Sequence, residues 1–168
     1  AESDPLAAAI EWMRPLASPG EAWPPPLPEV GSASSALRFE LAMVLAAAER
    51  AHGFLARAFA KVPASVTPGV LVRQAVEGRL EPLEEPDFRR LLPGLERGAL
   101  VAGMLDLVEA VERLRHFVRG SASLPAVSWR IDTPLGAVVV DTTGRDNSHE
   151  LAGPLLVVDA GGNDRYGF

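Results

Sequence analysis

The chain of 168 residues contains no cysteine, which excludes disulfide bonds, thiolate metal ligands and cysteine nucleophiles. It also lacks an apolar run of about 18 residues, so no segment is predicted to span a membrane. The net charge of −6 leaves no surplus of basic residues, which argues against nucleic acid as a partner. Motifs for phosphate loops, dinucleotide sites, zinc proteases and serine hydrolases are absent.

What is present predicts a globular protein, because 48% of the residues are hydrophobic and only 23% are charged. Up to residue 120 the sequence indicates an α-helical bundle. Five segments have apolar residues at helical spacing: 3–17, 34–61, 67–80, 84–93 and 94–119. A proline-rich stretch, Trp23–Pro28, is predicted to be an extended connector anchored by Trp23. The last helix has the clearest apolar seam, formed by Leu100, Met104, Leu107, Val111, Leu114 and Val118.

After Ser121 the apolar period changes to two, as Val127, Trp129 and Ile131 alternate with polar residues. Residues 133–136 have turn composition and residues 137–141 form a second strand pattern, which together predict a hairpin. We therefore expect an α+β fold, with a helical domain over residues 1–120 and a β-rich segment over 121–168.

The β-rich segment repeats itself with an offset of 18 residues. Residues 136–146 (GAVVVDTTGRD) align with residues 154–164 (PLLVVDAGGND), giving three apolar residues followed by D-x-x-G-x-D. A fixed period of strand and turn is typical of a β-solenoid, in which each turn of chain stacks on the one before. The glycines permit tight corners, and the aspartates either bond the corner backbone or share a calcium ion.

Residues 159–166 (DAGGNDRY) resemble the D-x-G-G-x-D-x-Y repeats of exported bacterial proteins predicted to form β-solenoids. They are more distantly similar to the glycine–aspartate repeats of calcium-binding β-rolls. The first copy departs from the pattern, with Thr143 in place of a glycine and Ser148 in place of the tyrosine. The resemblance covers about 30 residues and implies fold and export. The start of the chain, Ala1-Glu2-Ser3, also fits what remains after signal-peptide cleavage.

Two groups of side chains have the chemistry of a metal site. The first is the oxygen-rich set on the repeat, with Asp141, Asp146, Asp159, Asn163 and Asp164 as calcium ligands and His149 as a candidate catalytic base. The second is carboxylate–histidine spacing on two helices, given by Glu49, His52, Glu112 and His116. The second set lacks the full di-iron pattern, and a structural role for His52 is the competing interpretation.

These observations predict an exported, non-catalytic binding or scaffolding module, in which a helical cap covers a β-solenoid with calcium-stiffened corners. The alternative is one chain of a proteolytically processed, metal-dependent hydrolase-like enzyme, whose site a second chain completes. Two repeats are fewer than a stable solenoid needs. We therefore expect the repeat to pack on the helices, or a protein partner or a chain continuing beyond Phe168 to supply further repeats.

Overall fold

The computed structural model describes residues 4–20, 22–29, 33–62, 93–121, 123–150 and 153–167. These residues form α1 (Pro5–Trp12), a 3-10 turn (Arg14–Leu16), α2 (Ser35–Phe59), α3 (Arg97–Gly120) and five strands. The strands are β1 (Ser128–Thr133), β2 (Gly136–Asp141), β3 (Ser148–Glu150), β4 (Pro154–Asp159) and β5 (Arg165–Gly167). The predicted α+β class is confirmed. The helices predicted over 67–80 and 84–93 lie outside the described residues.

Local sequence explains where the first two helices begin. The Asp4 carboxylate accepts a hydrogen bond from the Leu6 N–H at 3.2 Å, and Pro5 takes the first helical position, where its missing N–H costs nothing. The Ser34 hydroxyl accepts in the same way from the Leu37 N–H at 3.2 Å. The α-helix predicted to reach residue 17 ends earlier, because Pro15 cannot donate to the helical ladder and the chain tightens into the 3-10 turn.

The chain forms two compact units, one of residues Ala1–Glu49 with Leu107–Phe168 and one of Arg50–Asp106. In the second unit, bidentate ion pairs join Arg50 to Asp106 and Arg57 to Glu96. A Cβ placed on Gly103 would lie 2.9 Å from Phe54 Cβ, so the backbone of α3 approaches α2 closely at this glycine. With Gly103 and Ala99 buried on the helix, Met104 is left 59% exposed, unlike the seam predicted from the sequence.

The first unit has one hydrophobic core to which both helices and strands contribute. Buried residues of α1 and α2, such as Ile10 and Leu41, belong to the same cluster as Val138, Val140 and Val158 of the sheet. Trp23, from the proline-rich connector, packs against this cluster as predicted. The β-rich segment therefore does not stand apart from the helices of this unit.

The strands reproduce the predicted hairpin and the 18-residue offset. Strands β1 and β2 pair antiparallel, from Ser128 opposite Asp141 to Thr133 opposite Gly136. Strand β4 lies parallel to the other side of β2, with Val139 opposite Val157 and Asp141 opposite Asp159. A second pair, β3 and β5, is also parallel and sets His149 opposite Tyr166. No helix among the described residues is long and apolar enough to cross a membrane.

Candidate functional site

The corners that follow β2 and β4 are built in the same way. Asp141 Oδ1 accepts from the Thr143 N–H, and Asp159 Oδ1 accepts from the Gly161 N–H, each at 2.9 Å. An aspartate that bonds the backbone two residues on closes a compact turn without help from neighbouring strands. The first aspartate of each D-x-x-G-x-D copy therefore has the backbone-bonding role that the sequence predicted as one of two alternatives.

The second aspartate of each copy connects the two corners to each other. Asp146 Oδ1 accepts from the Asn163 N–H at 2.9 Å, and Asp164 Oδ1 accepts from the Asn147 N–H at 2.6 Å. The Asn147 amide also donates to Asp141 Oδ2 at 2.9 Å. These reciprocal bonds hold one corner directly over the other.

Gly162 is required where the two corners meet. Its φ is +122°, and a Cβ at this position would lie 2.4 Å from the Arg145 carbonyl oxygen. A side chain would thus meet both an unfavourable backbone conformation and a backbone atom that cannot move aside. The matching Gly144 also has a positive φ, of +65°, but open space around it.

The stacked corners bring His149, Asp159 and Asp164 together. Potential ligand atoms of these three side chains lie within 4.8 Å of one another, which makes them the candidate metal cluster of the described residues. Asp141 lies beside them, with its Oδ2 3.9 Å from His149 Nε2, too far for a hydrogen bond. The His149 ring stacks on Tyr166 at a centroid distance of 5.6 Å. Tyr166 in turn donates its hydroxyl proton to Asp159 Oδ2.

His149 Nε2 is buried and has no hydrogen-bond partner among the described residues. The side chain as a whole is 12% exposed and that of Asp141 is 3% exposed. A buried nitrogen that neither donates nor accepts is unusual, because it forgoes the bonds that it would make in water. Here the nitrogen lies among carboxylate oxygens, which is the arrangement that a cation would complete.

The pKa values of the surrounding groups reflect this crowding of negative charge. Burial raises the pKa of Asp164, and the neighbouring Asp159 carboxylate raises it further. For Asp159, burial acts upward as well, but hydrogen bonds from Tyr166 and Gly161 bring the pKa below its usual value. That same bond to Asp159 raises the pKa of Tyr166 to about 12. One carboxylate of the pair is therefore held charged at the expense of the other.

Asp141 is the most deeply buried carboxylate of this region. Burial alone would raise its pKa, yet the hydrogen bonds from the Thr143 hydroxyl and N–H hold it below the usual value. Asp141 therefore adds a fixed negative charge next to the cluster while its own oxygens are engaged by Thr143 and Asn147.

The residues proposed from the sequence are thus distributed unevenly. Asp159 and Asp164 lie in the cluster with His149, whereas Asp146 and Asn163 are exposed and bonded to each other through the corner contact. On the helices, His52 and His116 are exposed, and Glu112 forms an exposed ion pair with Arg115. The described part of the chain brings no comparable cluster together from Glu49, His52, Glu112 and His116.

Tyr166 is the member of this site that the sequence analysis did not assign. The signal was present, because the second offset, of 17 residues, aligns His149 with Tyr166. The 18-residue alignment of the aspartates conceals it by shifting the comparison one position.

Comparison with known proteins gave no match: no family model, no curated protein and no solved structure is similar to this chain. The function must therefore be argued from the site itself.

Proposed function

We propose that the protein is a non-catalytic binding module in which helices cap a short β-solenoid whose stacked corners bind a divalent metal ion. The observation that carries the metal site is the buried, unpartnered Nε2 of His149 beside the carboxylates of Asp159 and Asp164. A divalent cation would give this nitrogen a partner and compensate the two adjacent carboxylates. No rearrangement of the corner hydrogen bonds is required for it.

The donor set favours a transition ion, with zinc first, over the calcium expected from the aspartates alone. Calcium takes six to eight oxygen ligands, whereas zinc is held by about four ligands that commonly include imidazole nitrogen and carboxylate oxygen. His149, Asp159 and Asp164 supply one nitrogen and two carboxylates. Asp146 and Asn163, which a calcium site of the predicted kind would need, are engaged at the edge of the corner.

The scaffolding part of the proposal rests on the shared core. Val138, Val140 and Val158 are buried in the same cluster as the helices, so the sheet gains from them the apolar contacts that two repeats alone could not supply. The resemblance to repeats of exported proteins makes export the proposed localisation. A protein partner is the proposed ligand of the exposed sheet edge.

The alternative of a processed, metal-dependent enzyme is favoured by one observation, which is the imidazole in the donor set. Hydrolytic zinc sites use three protein ligands and leave a position for water. With His149, Asp159 and Asp164 as ligands, the metal-bound water would be the nucleophile, and a second chain would have to supply the substrate pocket. Turnover of ester or peptide substrates by the zinc-loaded chain would favour this alternative.

Calorimetric titration of the chelator-treated protein with zinc, manganese and calcium tests the metal site. We expect one zinc ion to bind with a heat that is lost in His149→Gln and strongly reduced in Asp164→Asn. Asp146→Asn is the matched control, because it makes the same change in the other corner, outside the cluster, and should bind zinc normally. Zinc affinity unchanged by His149→Gln, or calcium binding lost in Asp146→Asn, would contradict the proposed ligand set.

A further inference from the structure

A groove runs between the outer strand of the sheet and the second half of α3. Its volume is about 600 Å³, within the range of sites that hold small ligands or short peptide segments. The helical wall is a single stripe at spacings of three and four, formed by Val111, Leu114, Arg115, Val118 and Arg119. The opposite wall is the continuous stretch of residues 156–160. All these residues belong to the first unit.

The strand side of the groove is an edge and not a face. Successive side chains of a strand point to opposite faces, so a cavity lined by five consecutive residues must run along the strand's open side. Strand β4 is the last strand of its sheet in the order β1-β2-β4. The Ala160 N–H donates to the Asp141 carbonyl of β2. Because backbone groups alternate in direction, those of Val157 and Asp159 are turned away from β2 and into the groove.

We propose that this groove binds an extended segment of a partner polypeptide as an additional parallel strand beside β4. The structure of the sheet defines the chemistry of this segment. Strand β4 already pairs in parallel with a strand of branched apolar residues ending in aspartate, with Asp141 opposite Asp159. A segment of the same kind would lay its apolar side chains against Val111, Leu114 and Val118.

Charge complementarity favours an acidic segment. A strand in the same register would bring a further carboxylate next to Asp159, which needs positive charge nearby. Arg115 and Arg119 line the groove, and Arg119 has no ion-pair partner among the residues that the structure describes. The groove therefore carries two cations on a chain whose net charge is −6. This inference names the partner of the proposed binding module and does not require the metal ion.

The test uses a fluorescein-labelled peptide with the sequence of residues 154–164, added in trans to the whole chain in the presence of EDTA. We expect binding with a Kd below about 1 mM. In hydrogen exchange, the peptide should protect the amides of Val157 and Asp159, whereas Ala160 is already bonded to β2. Working without metal keeps the result independent of the zinc titration.

Two variants and one control assign the binding to the groove. The double variant Arg115→Glu and Arg119→Glu should weaken binding roughly tenfold or more. Val157→Pro removes an outward N–H and should abolish the binding; a proline of this kind is tolerated on an edge strand. Arg145→Glu is the control, because this arginine is exposed and lies outside the groove, and it should bind the peptide normally. If Val157→Pro fails to fold, the arginine variant and the exchange pattern still decide.

Three results would overturn the proposal. The first is a peptide that fails to bind up to about 1 mM. The second is protection on β1 in place of β4. The third is self-association of the chain through the β4 edge, seen as a dimer in sedimentation, which would make a second copy the occupant.

Discussion

Arg38 shows how a single buried residue ties together parts of the first unit that are distant in sequence. Its side chain is 2% exposed and forms an ion pair with Asp4, which is 14% exposed. It also donates to the Pro28 carbonyl at 3.3 Å and lies 5.7 Å from the Trp129 ring centroid. The guanidinium thus links α2 to the start of α1, to the connector and to β1. Removing its partner leaves a buried charge without compensation.

We expect Asp4→Asn to lower the free energy of unfolding by about 3 kcal/mol, because it breaks a buried pair while keeping a residue that can cap α1. Urea denaturation measures the loss. Glu11→Gln removes an exposed ion pair with Arg14 and should have almost no effect. Equal effects of the two substitutions would show that the Asp4 pair is not buried in solution.

The same pair predicts a pH dependence. The hydrogen bond from Arg38 holds the pKa of Asp4 below its usual value. A depressed carboxyl pKa stabilises the fold above the pKa of the unfolded chain, about 3.9, and this stabilisation is lost as the pH falls through the folded value. Stability measured from pH 6 down to about pH 2 should therefore fall more steeply in the wild type than in Asp4→Asn. Parallel profiles would contradict this contribution.

Gly162 gives a third prediction at the scale of the residue. Gly162→Ala should destabilise the β-rich segment by more than Gly161→Ala, although both glycines have positive φ. Backbone strain alone costs about 1–3 kcal/mol in either variant, but only the Cβ at 162 meets the Arg145 carbonyl. The difference between the two variants, measured by urea denaturation, isolates this close approach. A smaller effect at 162 than at 161 would argue against stacked corners.

The elements show where the sequence was informative. The alternation from Val127 to Ile131 and the repeat at 18 residues were sufficient to predict the hairpin and the pairing of β4 with β2, because strand period and corner chemistry are local properties. The rotation of α3 was not predictable, because it depends on the close approach of α2 at Gly103, a contact between residues far apart in sequence. An apolar seam read from spacing alone favoured Met104 as a buried residue.

The candidate site was predictable in part for the same reason. The aspartates of the two corners stand out as a repeated motif, and the structure places Asp159 and Asp164 in one cluster. That His149 rather than Asp146 joins them depends on the parallel pairing of β3 and β5 with its different offset. Three-residue strands have too little pattern to reveal such pairing in advance.

The molecule as a whole is expected to lose its helices and its sheet together within the first unit, since the two share one core. Val138→Ala should lower the free energy of unfolding by about 2 kcal/mol. Hydrogen exchange of residues 35–49 should become faster to the same extent as that of β2. Val108→Ala, at a site 56% exposed, is the control and should leave both unchanged. Faster exchange in β2 alone would mean that the sheet is a separate cooperative unit.

The central claim is that a metal ion binds at the corner formed by His149, Asp159 and Asp164. The chain has three histidines, and the other two, His52 and His116, are exposed on helices, so imidazole resonances separate the site from unspecific binding. The most direct measurement is a zinc titration of the 15N-labelled protein, followed through the three imidazole Nε2 signals. The account predicts that one equivalent of zinc shifts the His149 signal and leaves His52 and His116 in place. A His149 signal that does not move while the exposed histidines shift would contradict it.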